Sequence, residues 1–281
     1  MALMCHCFIF TSCKSDNTGS ELQVPPAYKP GVTPAAKDLE DSNLLLSRGQ
    51  KYYEDSKMQP ALFEYLRAAE LNPASYEAYF YIARICKKMG RTEQALESYD
   101  IALKLSPDSE EALLEYADLL RLSGNNLKAS EVYAKILAAK PAEMAILLNY
   151  ASSLARSGKF AEAETAFMKA VDSYPGDVTP LQSFARYQFE RADASVKDAP
   201  DCYEKAAELY KKSSQITNID SERWSFKFRQ AQSLYRKWLV TKSKSDQKRA
   251  SMIFDEYENS QEELPWKMSA QYFLSVLNEQ D

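Results

Sequence analysis

The sequence predicts an all-α solenoid of stacked helix-turn-helix repeats closed by a C-terminal capping helix. Three observations carry that prediction. Pro73, Pro107, Pro141 and Pro175 recur every 34 residues, and so do Ala61, Ala95, Ala129 and Ala163. The aromatics Tyr65, Tyr99, Tyr133 and Phe167 keep the same register, as do Gly90, Gly124 and Gly158, with Ser56 in the slot of the first copy. Units of this length cannot bury an apolar face alone, so they stack. Finally, glycine is scarce, 7 in 281 residues, which argues against a sheet-rich fold with many tight turns.

Each copy reads as two amphipathic helices around a turn centred on the glycine column. Glycine suits the left-handed conformation just past a helix end. Gly49, Ala83, Ala117 and Ala151 are small and let the paired helix approach, and the Ala61 column does the same from the other side. The aromatic four residues later fills the gap toward the next copy. The proline column stops the second helix. Pro107-Asp108-Ser109-Glu110-Glu111 supplies a capping hydroxyl and acids where a helix N-terminus favours them.

The first copy supplies Leu45, Arg48, Gly49, Tyr52, Ala61, Tyr65, Ala68 and Pro73, and the second Tyr79, Ile82, Ala83, Cys86, Ala95, Tyr99, Ala102 and Pro107. Leu113, Tyr116, Ala117, Leu120, Ala129, Tyr133, Ile136 and Pro141 follow in the third. The fourth has Leu147, Tyr150, Ala151, Leu154, Ala163, Phe167, Ala170 and Pro175. This pattern resembles the tetratricopeptide repeat family, with its signature Trp replaced by Tyr or Leu and Arg48 in an apolar slot. The resemblance implies a right-handed superhelix whose concave face, lined by first helices, binds a protein or peptide segment. Placed on this register, that face takes Phe80, Arg84 and Lys87, then Leu114, Asp118 and Arg121. Leu148, Asn149, Ser152 and Arg156 follow, and Gln182, Arg186 and Phe189 extend the stripe. The Lys/Asn/Arg clamp that some members use for a terminal carboxylate is missing, since Phe80 and Leu114 stand in its polar slots.

Four regular copies occupy residues 42–175, and two divergent copies with a terminal helix occupy 176–281. Leu181, Phe184 and Ala185 open a fifth copy whose partner helix arrives late, at Ala206 and Tyr210, after about nine extra residues near Glu190–Pro200. A sixth pair is expected over Trp224–Val240 and Gln247–Asn259, joined by a lengthened connection from Lys242 to Asp246. A terminal helix over Pro265–Leu277 would cover the last core.

The N-terminus reads differently. Residues 1–12 begin MALMCHCFIF, too short to span a bilayer and of the length of a secretory apolar region. Phe10-Thr11-Ser12-Cys13 resembles a bacterial lipobox, which implies a signal peptide, a lipid-modified Cys13 and a place in the bacterial cell envelope. The alternative is an apolar tail on a cytoplasmic protein. Residues 13–41 carry Pro25, Pro26, Pro30 and Pro34 and read as a tether. Cys5, His6, Cys7 and Cys13 fit no standard zinc spacing, so no metal is expected.

Chemistry is otherwise sparse. The sole histidine is His6, so a histidine-based triad in the repeats is excluded, and no phosphate-cradling glycine loop exists. Cys86 falls in a core slot; Cys202 stands beside the insertion. No enzyme activity and no cofactor are expected. Net charge is −5 and the pI about 5.3, which gives no general attraction to nucleic acid. A different reading attaches to Arg223–Arg249, where basic residues alternate with Trp224, Phe226, Phe228, Tyr235 and Trp238 around one acid, Asp246. Such a stretch can bind single strands or an anionic surface, but the helical spacing of Phe228, Ala231, Tyr235 and Trp238 favours a buried face. The function expected is a protein-binding scaffold, lipid-anchored in the envelope and helping assemble a complex there, or else a cytosolic scaffold or co-chaperone.

Overall fold

The computed structural model describes residues 34–279 apart from 142, 196 and 261–263. Among the described residues there are thirteen α-helices and no strand. The chain divides into two compact units, Met1–Ile101 and Ala102–Asp281.

The first unit holds α1 (Ala36–Glu54), α2 (Met58–Leu71), α3 (Tyr76–Lys88) and the start of α4 (Thr92–Leu105). Helix α1 begins inside the stretch expected to be tether, so the tether boundary at residue 41 lies too far along the chain. Asp38 in its first turn complements the helix dipole. Gly49 is the close approach of α1 to α2: a Cβ there would lie 3.1 Å from the Tyr65 ring. Arg48, the basic residue in an apolar slot, reaches Glu64 of α2 at 3.2 Å.

The glycine column behaves as expected in every copy. Gly90, Gly124 and Gly158 have φ of 73°, 85° and 84°, and Ser56 adopts 59° in the same slot. The next residue's N–H closes each helix on a carbonyl five positions back: Lys57 on Tyr52, Arg91 on Cys86, Asn125 on Leu120 and Lys159 on Leu154. This is the Schellman closure that a left-handed residue permits. The Ala61 and Tyr65 columns are buried throughout. Ser75 and Ser109 cap α3 and α5, each side chain accepting an amide three residues on.

The second unit continues with α5 (Glu110–Leu122), α6 (Asn126–Ala139), α7 (Met144–Arg156) and α8 (Phe160–Ser173). After them come α9 (Val178–Ala194), α10 (Ala199–Ile216), α11 (Asp220–Thr241), α12 (Lys244–Glu258) and α13 (Lys267–Asn278). The insertion in the fifth copy is mostly not a loop. Helices α9 and α10 run to 17 and 18 residues against 13 and 14 for α7 and α8, so each absorbs four extra residues. Their added turns have a small core of their own, Ala192, Ala199, Cys202 and Tyr203, with Phe189 against it.

The connection expected from Lys242 to Asp246 is shorter than the sequence suggested. Only Lys242 and Ser243 separate α11 from α12, with Lys242 left-handed at φ 53° in the place of a terminating glycine. Helix α13 buries Ala270, Leu274 and Leu277 in a core shared with α11 and α12, and Gln247 Nε2 donates to the Leu277 carbonyl at 2.6 Å. It is the cap that the last repeat core requires.

Candidate functional site

In the second unit the first helices of successive copies line a groove. Between α7 and α9 it opens into a cavity of about 610 Å³, reached by Arg121 from the end of α5. A second cavity of about 330 Å³ lies between α9 and α11. Thr179, Ser183 and Arg186 border both, so the two form one trough with α9 as its shared wall.

Of the residues placed on this face from sequence, Arg121, Leu148, Asn149, Ser152, Arg156, Gln182 and Arg186 do line the trough. Asp118 is held just behind it. The Tyr133 hydroxyl donates to its carboxylate, Asn149 Nδ2 donates to the same oxygen at 3.4 Å, and Arg121 stands 3.8 Å away. Burial and that carboxylate together push the Tyr133 hydroxyl pKa well above its ordinary value. Leu114 is half-buried and borders neither cavity.

Two aromatic assignments need correction. Phe80 is 4% exposed, stacked on Tyr76 and edge-on to Tyr81 and Tyr99 within the first unit. It is a core residue, because a phenyl ring gains more from burial than from lining a polar surface. Phe189 turns away into the small core of the α9–α10 extension, edge-on to Tyr203 at 5.4 Å. In the first unit Arg84 lies 5.3 Å from the centre of the Phe80 ring and 6.0 Å from that of Tyr53, and Lys87 is half-buried on the same helix.

Sequence reasoning missed Thr179, Ser183 and Glu190 of α9, and Glu222, Ser225 and Arg229 of α11. Had the 34-residue register been re-phased after the insertion, Ser225 and Arg229 would have fallen on the lining positions of a sixth first helix. The lining mixes guanidiniums, hydroxyls, amides and short apolar patches. It can grip an extended chain by its backbone and side chains.

The basic-aromatic stretch is folded into the core and tied down. Phe226, Phe228, Tyr235 and Trp238 are buried, so their faces are not open to a base. Lys227 pairs with Glu256, Arg223 with Asp220, and Lys237 and Arg249 both with Glu204 and Asp246. Both described cysteines are buried thiols, and burial raises the Cys86 pKa to about 11. Cys13 and His6 lie outside the described residues.

Comparison with known proteins fits this geometry. Residues 66–180 match the family described as the cytochrome c-type biogenesis protein H TPR domain. No curated protein sequence matches the chain. The chain is similar to the crystal structure of YrrB, described as a TPR protein with an unusual peptide-binding site. The identity is 15% and the TM-score 0.55, covering 68% of this chain and 92% of that one. A tetratricopeptide repeat protein from Parabacteroides merdae aligns over 85% of this chain and 99% of its own, at 16% identity and TM-score 0.49. MamA from Desulfovibrio magneticus RS-1 aligns over 60% and 95%, at 20% identity and TM-score 0.48.

Proposed function

We propose that this chain, a tetratricopeptide-repeat protein, is a non-catalytic scaffold that holds an extended segment of a partner protein in the α5–α11 groove. One observation carries the reading: four successive first helices contribute lining to a single trough, bordered by Arg121, Asn149, Ser152, Ser183 and Arg229. A trough of that chemistry suits a peptide better than a small ligand. The likeness to a protein described as having a peptide-binding site supports the same reading at the level of fold.

Photo-crosslinking tests it. A benzoylphenylalanine at Ser152 or Ser183 is expected to capture a partner in the cell of origin, whereas one at Lys169, outside the trough, is not. Capture at Lys169 alone would move the binding surface elsewhere.

We further infer that the scaffold is anchored in a bacterial envelope through a lipid on Cys13 and helps assemble a complex there. The support is the Phe10-Thr11-Ser12-Cys13 sequence after an apolar run, and several acyl chains on one cysteine make a lasting anchor. Intact mass and detergent partitioning of the full chain, beside Cys13→Ser, decide this. Loss of twelve residues with a lipid-sized mass gain, absent in the variant, is the expected result. An unmodified soluble chain would leave a cytosolic scaffold.

A further inference from the structure

We propose that the cavity between α11 and α13 takes one aromatic side chain of the bound segment, which makes the terminal cap a wall of the groove as well. The proposal rests on the groove reading and names a residue class that the groove selects.

A helix that only closes a solenoid turns polar residues outward. Helix α13, KMSAQYFLSVLN, holds a single charged residue, Lys267. It buries Ala270, Leu274 and Leu277, yet Met268 and Tyr272, one turn apart, are 84% and 63% exposed. Sealing the last core accounts for the first set and not for the second.

The cavity gives the helix a further use. It measures about 280 Å³ and is lined by Phe228, Arg229 and Gln232 of α11 and by Trp266, Ser269 and Phe273 at α13. Arg229 also borders the cavity between α9 and α11, so the trough continues past its fourth first helix. The chemistry changes on crossing Arg229. The α9 side brings the hydroxyls of Thr179, Ser183 and Ser225, whereas the α13 side brings three rings. Phe228 is the buried floor, stacked on Trp266 with centroids 5.3 Å apart and tilted against Phe273 at 6.2 Å. Trp266 and Phe273 are half-buried and form the walls.

Size and chemistry together define the occupant. The volume falls below the roughly 300–1,000 Å³ of pockets that enclose a whole small ligand, which leaves room for one side chain. An aliphatic side chain would gain burial there and nothing more. A ring gains in addition an offset or edge contact with Trp266 and Phe273, and it offers a face to the Arg229 guanidinium. Gln232 and Ser269 each carry a donor and an acceptor at the rim, suited to the backbone on either side of the ring. An aromatic anchor in such a pocket carries a disproportionate share of binding energy and fixes the register of the segment along the groove.

Peptide libraries selected on the immobilised full chain provide the test. Enrichment of Phe, Tyr or Trp over Leu, Ile and Met at one position is expected. Benzoylphenylalanine placed at that position should label residues 266–273 on irradiation, read by mass spectrometry of the digested adduct. In Ser269→Trp an indole fills the cavity from an exposed position. The selected peptides are expected to bind this variant at least about tenfold more weakly by fluorescence polarisation, with Ser269→Ala unchanged and thermal melts of both coinciding with the parent chain. Should Ser269→Trp melt early, the crosslink decides alone. Aliphatic residues enriched as strongly as aromatic ones, or a label confined to other helices, would overturn the aromatic pocket and leave the groove standing. Failure to select any peptide would overturn the groove reading and the pocket with it.

Discussion

In copies two to four the first helices are 13 residues and the second 14, whereas α9, α10 and α11 run to 17, 18 and 22. The two regions hold their helices together differently. The regular copies rely on shape: a fully buried alanine column, an aromatic column and a left-handed turn repeat with each copy. Their ion pairs, such as Lys140 with Glu110, are about half exposed. The C-terminal region breaks the 34-residue spacing, although buried alanine and aromatic pairs continue at Ala206 and Tyr210 and at Ala250 and Phe254. There Glu204 of α10, Lys237 of α11 and Asp246 and Arg249 of α12 form one network of charges, with the Asp246 side chain 6% exposed. Thr241 also donates to Asp246. Where the spacing changes, these charges tie α10, α11 and α12 to one another. A misplaced helix would leave Asp246 buried without its partners, which costs far more than an apolar mismatch.

The widest separation between the regions should come from deleting one lysine in each. Lys237→Met removes the closest cation from buried Asp246 and is expected to cost about 3 kcal/mol. Lys140→Met removes an exposed pair and should cost far less. Urea melts of the two variants measure the contrast, and equal losses would erase it. The converse probe is Ala129→Leu, which forces three extra carbons into a fully buried column. It should cost about 2 kcal/mol by overpacking with no dependence on salt, whereas the loss in Lys237→Met should shrink in 1 M salt.

These contrasts also explain what the sequence could and could not reveal. The regular copies were legible because one physical requirement recurs at a fixed spacing, so even Ser56 could be placed in a glycine slot before its φ was known. The insertion was legible as length, yet its form was not. Nine added residues fit a loop or two longer helices equally well, and the choice rests on Ala192, Ala199, Cys202 and Tyr203 finding one another across the chain. Transferring a register also assigns side chains to a face without asking where their rings can go. Polar Asn149, Ser152 and Arg156 stayed on the groove, while Phe80 and Phe189 found buried contacts nearby. Arg229 escaped notice because the shifted phase of α11 hid its place opposite Arg186.

Acid should expose the charged region first. Hydrogen bonding from Arg249, with further help from Lys237, lowers the Glu204 pKa from its ordinary 4.5 to about 2. A folded-state pKa below the unfolded one means the stabilisation is complete above about pH 4.5 and is lost as pH falls toward 2. The Glu204 side chain is 27% exposed, so solvent screening reduces the effect to the order of 1 kcal/mol. Glu204→Gln should flatten the stability profile in that window and leave the slope above pH 5 alone. An unchanged profile would mean that other carboxylates govern acid unfolding.

The smallest effect expected is a gain. Ser56 holds φ at 59° in a slot that the next three copies fill with glycine, and an L-residue there costs about 1–2 kcal/mol against a relaxed backbone. Glycine removes that cost but adds entropy to the unfolded chain, at roughly 0.5–1 kcal/mol. The net expectation for Ser56→Gly is a stabilisation of about 0.5 kcal/mol, read as a small rise in the urea midpoint at unchanged slope. Lys242→Gly, in the left-handed slot that ends α11, makes the comparison sharp. Lys242 Nζ lies 4.9 Å from the centre of the Trp238 ring, so glycine there relieves strain and deletes a cation–π contact worth about 0.5–1 kcal/mol. A gain at residue 56 beside no gain at residue 242 would mean that the first copy departs from its column by drift, while the last has exchanged glycine for a side chain it uses.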